Sequence, residues 1–107
     1  MIIGITGTDG SGKGTAVDYL VKEKGFIHYS ARALFIEILN ERGKEANRDN
    51  LRLMGNELRR THGNDYIVAE YVKRFQDQKI QNCNIESIRA LAEVKTLKDK
   101  RGILLAI

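Results

Sequence analysis

Met1 to Thr6 is an almost unbroken apolar run rich in β-branched residues, the pattern of a strand buried on both faces of a parallel sheet. From Lys13 the period becomes helical: Ala16, Val17, Leu20 and Val21 recur at helical spacing, and Gly25 follows Lys22 and Lys24 as a stop. Phe26 to Tyr29 reads as a short second strand. Ser30 is placed to cap a helix carrying Leu34, Phe35, Ile38 and Leu39 on one side, which Gly43 ends. Asn47-Arg48-Asp49 opens a helix whose Leu51, Met54, Gly55 and Leu58 follow the i, i+3, i+4, i+7 rule, and Gly63 closes it. Asn64 or Asp65 caps another, with Val68, Tyr71, Val72 and Phe75 at the same spacing. Cys83 to Ile88 reads as a strand, Arg89 to Asp99 as a helix with Leu91, Val94 and Leu97 inward, and Gly102 to Ile107 as a last strand.

The order βαβαααβαβ implies an α/β fold, a parallel sheet with helices on both faces. The last strand is strongly apolar and no helix follows to cover it. Residues 1–107 are therefore expected to form a single domain that is the N-terminal part of a longer chain.

Composition narrows the class. A chain of 107 residues with 42% hydrophobic and 30% charged residues makes one small globular domain and excludes disorder and collagen-like repetition. The net charge of +4 comes from interspersed charges, which describes a mixed solvated surface rather than a nucleic-acid footprint. A lone Cys83 cannot form an internal disulfide and reads as a small buried hydrophobe in a reducing compartment. The N-terminal run lacks a basic flank, and no apolar stretch approaches the roughly 20 residues of a membrane span. A cytoplasmic protein with no membrane partner is expected.

The chemistry lies between the first strand and the first helix, in Gly7-Thr8-Asp9-Gly10-Ser11-Gly12-Lys13-Gly14-Thr15. It matches G-x-x-x-x-G-K, followed by Gly14 and Thr15 instead of an immediate Ser or Thr. Glycines let successive backbone N–H groups turn toward a phosphate, and the helix starting near Lys13 adds its positive end. Lys13 is placed to neutralise the outer phosphates of ATP, and Thr15 is the nearest hydroxyl for Mg²⁺ or its water.

These residues resemble the phosphate loop of P-loop nucleoside and nucleotide monophosphate kinases. The G-K-G-T ending looks like adenylate kinase, and Thr8 to Lys13 looks like thymidylate kinase, in which the loop Asp contacts the acceptor's sugar. The resemblance assigns Asp9 that role; bonding to the loop's own amides is its alternative. Ile85-Glu86-Ser87-Ile88-Arg89 is similar to the hydrophobic-D-G-x-(P)-R segment of adenylate-kinase-like enzymes, where the acid serves Mg²⁺ and the Arg holds a phosphate. Glu86 stands at the acid, Ser87 at the Gly and Arg89 at the Arg, with no Pro; a salt bridge at a helix N-cap is the other reading of Glu86. Tyr29 to Leu34 occupies the place of the acceptor-site segment of adenylate kinase, with only Ser30 aligned. The Asp that dephospho-CoA kinase keeps after its second strand is missing.

The resemblance implies a three-layer P-loop fold with strand order 2-3-1-4, truncated before the lid. It implies an ATP- and Mg²⁺-dependent phosphotransferase acting on a nucleotide-like, small phosphorylated acceptor, with Lys13, Arg89 and Asp9 catalytic. Gly7, Asp9, Gly10, Ser11, Gly12, Lys13, Gly14 and Thr15 would hold ATP, and Thr15 and Glu86 the metal. The alternative is a non-catalytic nucleotide-binding module of a larger protein, such as a deoxycytidylate deaminase fusion. Arg52, Arg59 and Arg60 either hold the acceptor phosphate or form a solvated face with Glu57. His28 and His62 read as structural or surface residues, the Tyr66, Tyr71 and Phe75 stripe as core, and the terminal strand as a possible homodimer contact.

Overall fold

The computed structural model describes residues 1–7, 12–86, 88 and 90–106. Along these residues run β1 (Ile2–Thr6), α1 (Lys13–Lys24), β2 (Ile27–Tyr29), α2 (Ala31–Glu41), α3 (Arg48–His62), α4 (Tyr66–Asp77), β3 (Cys83–Glu86), α5 (Leu91–Asp99) and β4 (Ile103–Ala106). The strands form one parallel sheet in the order β2-β3-β1-β4, as the sequence implies.

The connections explain the layering. From β1 the chain crosses β3 to reach β2, then returns through α2, α3 and α4 to β3, and α5 carries it over β1 to β4. Right-handed crossovers running in opposite directions place their helices on opposite faces, so α1 covers one face and α2, α4 and α5 the other. The core follows that division. Ile2, Cys83 and Ile85 of the sheet pack with Leu34, Leu39, Met54, Val68, Tyr71, Val72 and Leu97 on the multi-helix face. Val17, Ile5 and Phe26 are buried outside that cluster. At Gly4 of β1 the sheet passes close under α5, since a Cβ there would stand 2.5 Å from Leu97.

The caps form where the sequence places them. The Ser30 Oγ accepts from the Ala33 N–H at 3.1 Å, and the Asn47 Oδ1 from the Asn50 N–H at 2.8 Å. Gly25 ends α1 in the left-handed region, its N–H bonded to the Leu20 carbonyl. Asp65 stands at the start of α4 but makes no cap bond; its carboxylate accepts from the Thr96 hydroxyl and ties α4 to α5.

Three expectations fail in detail. Leu91 is 88% exposed rather than inward, because α5 starts at Leu91 and buries the stripe through Glu93 and Leu97, on the other side of the helix. Glu93 can turn inward because its carboxylate accepts from the Ala90 N–H, doing for the helix start what the Ala side chain cannot. Val21 of α1 is also exposed. β3 ends at Glu86, two residues before the expected limit. Among the described residues no helix is long and apolar enough to cross a membrane.

Candidate functional site

In open α/β sheets, ligands collect beyond the carboxyl ends of the strands where neighbouring strands send their connections to opposite faces. Here that point lies between β1, which leaves for α1, and β3, which leaves for α5. Gly7 follows β1 directly, and Glu86 is the last residue of β3, paired in register with Ile5. The sequence's two chemical segments therefore flank one crevice.

On the β1 side, Gly12 is the N-cap of α1 at φ 92°, a left-handed conformation that favours glycine, and its carbonyl accepts from the Ala16 N–H. Lys13 is the first helical residue and is buried, and its Nζ donates to the Gly7 carbonyl at 3.1 Å. One of three ammonium donors thus spans the mouth of the loop. Gly14 and Thr15 are exposed in the first turn. A Cβ on Gly14 would meet nothing within 4 Å, so packing within the described residues does not account for a glycine there. Thr8, Asp9, Gly10 and Ser11 lie outside the described residues, and so do Ser87 and Arg89; the roles expected of Asp9, Gly10, Ser11 and Arg89 are not addressed by the geometry.

On the β3 side the fold assembles a cluster that sequence reasoning missed. His28 reads from the sequence as a structural or surface residue. The parallel register of β2 and β3 sets it opposite Asn84, and its Nδ1 lies 2.6 Å from the Asn84 Oδ1. Its Nε2 faces a Glu86 carboxylate oxygen at 3.4 Å. Asn84 and Glu86, two apart on a strand, share a face. Asn84 is fully buried, and its Nδ2 has no partner among the described residues. The available signal was an Asn inside an apolar strand, but its partner depends on strand register, which a 53-residue connection between Tyr29 and Cys83 leaves open at the sequence level.

The remaining candidates separate. Glu57 pairs at 2.9 Å with Arg42, the C-cap of α2, not with Arg52, Arg59 or Arg60 of its own helix. Arg60 reaches a groove of about 240 Å³ between α2 and α3, with Arg42 and Lys44, over Leu39, Leu53 and Met54. The groove's α2 residues begin nine positions after Ser30, about 13 Å along the helix from the strand end. Tyr71 is core, stacked on Tyr29 at 4.3 Å, and its hydroxyl donates to the Ser30 carbonyl. Burial pushes its pKa up to about 12. His62 stacks on Tyr66 at 4.7 Å.

The donor set bears on a metal. Glu86 and Thr15 offer hard oxygen atoms, and among the described residues no group of three or more His, Cys, Asp or Glu side chains could hold an ion alone. Mg²⁺ is typically held by one or two protein oxygens together with substrate phosphates and water, so the residues present fit it.

A family model described as an AAA domain matches residues 6–82, from the last residue of β1 to the residue before β3. The chain belongs to this AAA-domain family of P-loop NTPase-like proteins. No curated protein matches it. As an AAA domain of this type, found in kinases, it is a P-loop nucleotide-binding domain. The match covers the phosphate loop and stops short of Glu86.

Proposed function

We propose that this AAA domain binds ATP with Mg²⁺ at residues 7–15 and transfers the γ-phosphoryl group to a nucleotide-like acceptor at the carboxyl ends of β2 and β3. The observation that carries this reading is the buried Lys13, held across the loop by the Gly7 carbonyl at the β1–β3 crevice. An ammonium fixed there, at the positive end of α1, stabilises charge on the outer phosphates as the bond to the leaving oxygen breaks. Mg²⁺, when bound, would neutralise the β- and γ-phosphate oxygens. Glu86 and Thr15 would hold it directly or through water, Asp9 would meet the acceptor, and Arg89 would hold a phosphate. Transfer between phosphate oxygens depends mainly on positioning and charge, which these residues supply.

Calorimetry with ATP and Mg²⁺ beside Lys13→Ala tests the site. Charge-assisted hydrogen bonds of about 1.5–3 kcal/mol predict a loss of affinity of roughly tenfold to a hundredfold in the variant. ADP release across a panel of nucleoside monophosphates tests the transfer, and no stimulation by any acceptor overturns it.

A second reading has its own support. The Ser30 hydroxyl is committed to capping α2, and no acid follows β2 where related kinases keep one. A regulatory nucleotide-binding module fits that feature, and tight ATP binding without transfer would decide for it. A cytoplasmic setting fits the free, buried Cys83. We also propose self-association through β4, on whose surface Ile103 and Leu105 are exposed.

A further inference from the structure

Glu86 ends a strand with its side chain about a quarter exposed, and a lone carboxylate there samples several rotamers. Three observations show that it is not left to do so. The His28 imidazole, one strand away, faces one carboxylate oxygen through Nε2 at 3.4 Å. The other ring nitrogen lies 2.6 Å from Asn84, which is fully buried and cannot yield its place to solvent. All three residues stand on the face of the sheet covered by α1, whose N-terminus carries Lys13, and Glu86 is in register with Ile5, two residues before Gly7.

We propose that His28 is a positioning residue for Glu86: with its ring fixed by Asn84, it holds the carboxylate so that the second oxygen meets a phosphate-bound divalent cation in one orientation. The chain Asn84–His28–Glu86 runs from the interior of the sheet to the crevice, as an outer shell does behind a metal-binding group. With the Asn84 amide turned to offer its Nδ2 to Nδ1, which also gives that otherwise unpartnered nitrogen an acceptor, the ring carries its proton on Nε2 and donates it to one lone pair of the carboxylate, whose others face the crevice. Asn84 adds rigidity because it is buried in the middle of β3 between two strands.

This inference rests on the ATP–Mg²⁺ reading of the same crevice, and the experiment separates the two. ATP affinity is measured by calorimetry with Mg²⁺ and with EDTA, and the ratio of the two affinities is compared for wild type, His28→Phe, His28→Gln and Lys13→Ala. His28→Phe is expected to lower the ratio by roughly tenfold, the scale on which outer-shell partners act on metal affinity. His28→Gln, whose amide can still donate to Glu86, is expected to restore part of it, which a merely structural role would not do. If His28→Phe fails to fold, His28→Asn, too short to reach the carboxylate, takes its place. A ratio in the Phe or Asn variant within about twofold of wild type overturns the role of His28 while leaving the phosphate site intact, provided Lys13→Ala still loses ATP. Wild-type ATP binding that is absent, or unaffected by Lys13→Ala, overturns the phosphate-site reading and the role of His28 with it.

Discussion

Cys83 has no exposed surface, and burial pushes its thiol up from 9.0 to about 11. Since the thiolate is the reactive form, iodoacetamide should leave the folded chain unmodified at pH 8 and label it once urea unfolds it; mass spectrometry reads the difference. Tyr71 shifts in the same direction, from 10.0 to about 12. For both groups the folded chain holds its proton more tightly than the unfolded one. Their contribution to stability is thus complete below about pH 9 and falls as pH rises through 11 and 12. Urea midpoints measured between pH 8 and pH 11 should decline over that window. The burial of Cys83 was legible from its residue type and its place in an apolar strand. The environment of His28 was not, because a side chain's partner across a parallel sheet depends on which strands are neighbours and in what register.

At the scale of elements, caps and periodicity carried most of the information. Ser30 and Asn47 each satisfy an orphan N–H with a side-chain oxygen, so Ser30→Ala and Asn47→Ala are expected to cost about 1 kcal/mol each, read as a fall in the urea midpoint. The two caps serve different helices, and the double variant should lose close to the sum. Where expectation failed, a local bond had displaced the usual one. Asp65 spends its carboxylate on Thr96 rather than on its own helix, and Glu93 takes an inward position that a reader of hydropathy gives to Leu91. Neither exchange leaves a trace in residue spacing, since each depends on a partner supplied by the fold or on where the helix starts.

The whole molecule is layered unevenly. One face of the sheet carries α2, α4 and α5; α1 alone serves the other, lying against β2 and β3. Ile103 and Leu105 alternate with the core residue Leu104 and so stand on the thinly covered side. Light scattering of the chain at rising concentration should give a mass above that of the monomer, and Leu105→Lys should return it to the monomer. The parallel sheet was legible in the alternation of elements, the position of the phosphate loop in residues 7–15, and the strand order through the resemblance those residues carry. The thin layer was not, because it follows from the direction of each crossover.

β1 stands in the middle of the sheet although it precedes the other three described strands in sequence. Ile2 pairs with Cys83, and Ile3 with Ile103. During synthesis at about 5–20 residues per second, some 80 residues must follow β1 before its first neighbour exists, a wait of about 4–16 s. The segment that will carry the phosphate loop thus leaves the ribosome early and acquires its supporting strand late. A chaperone that shields short apolar segments would find Met1 to Thr6 available throughout that interval.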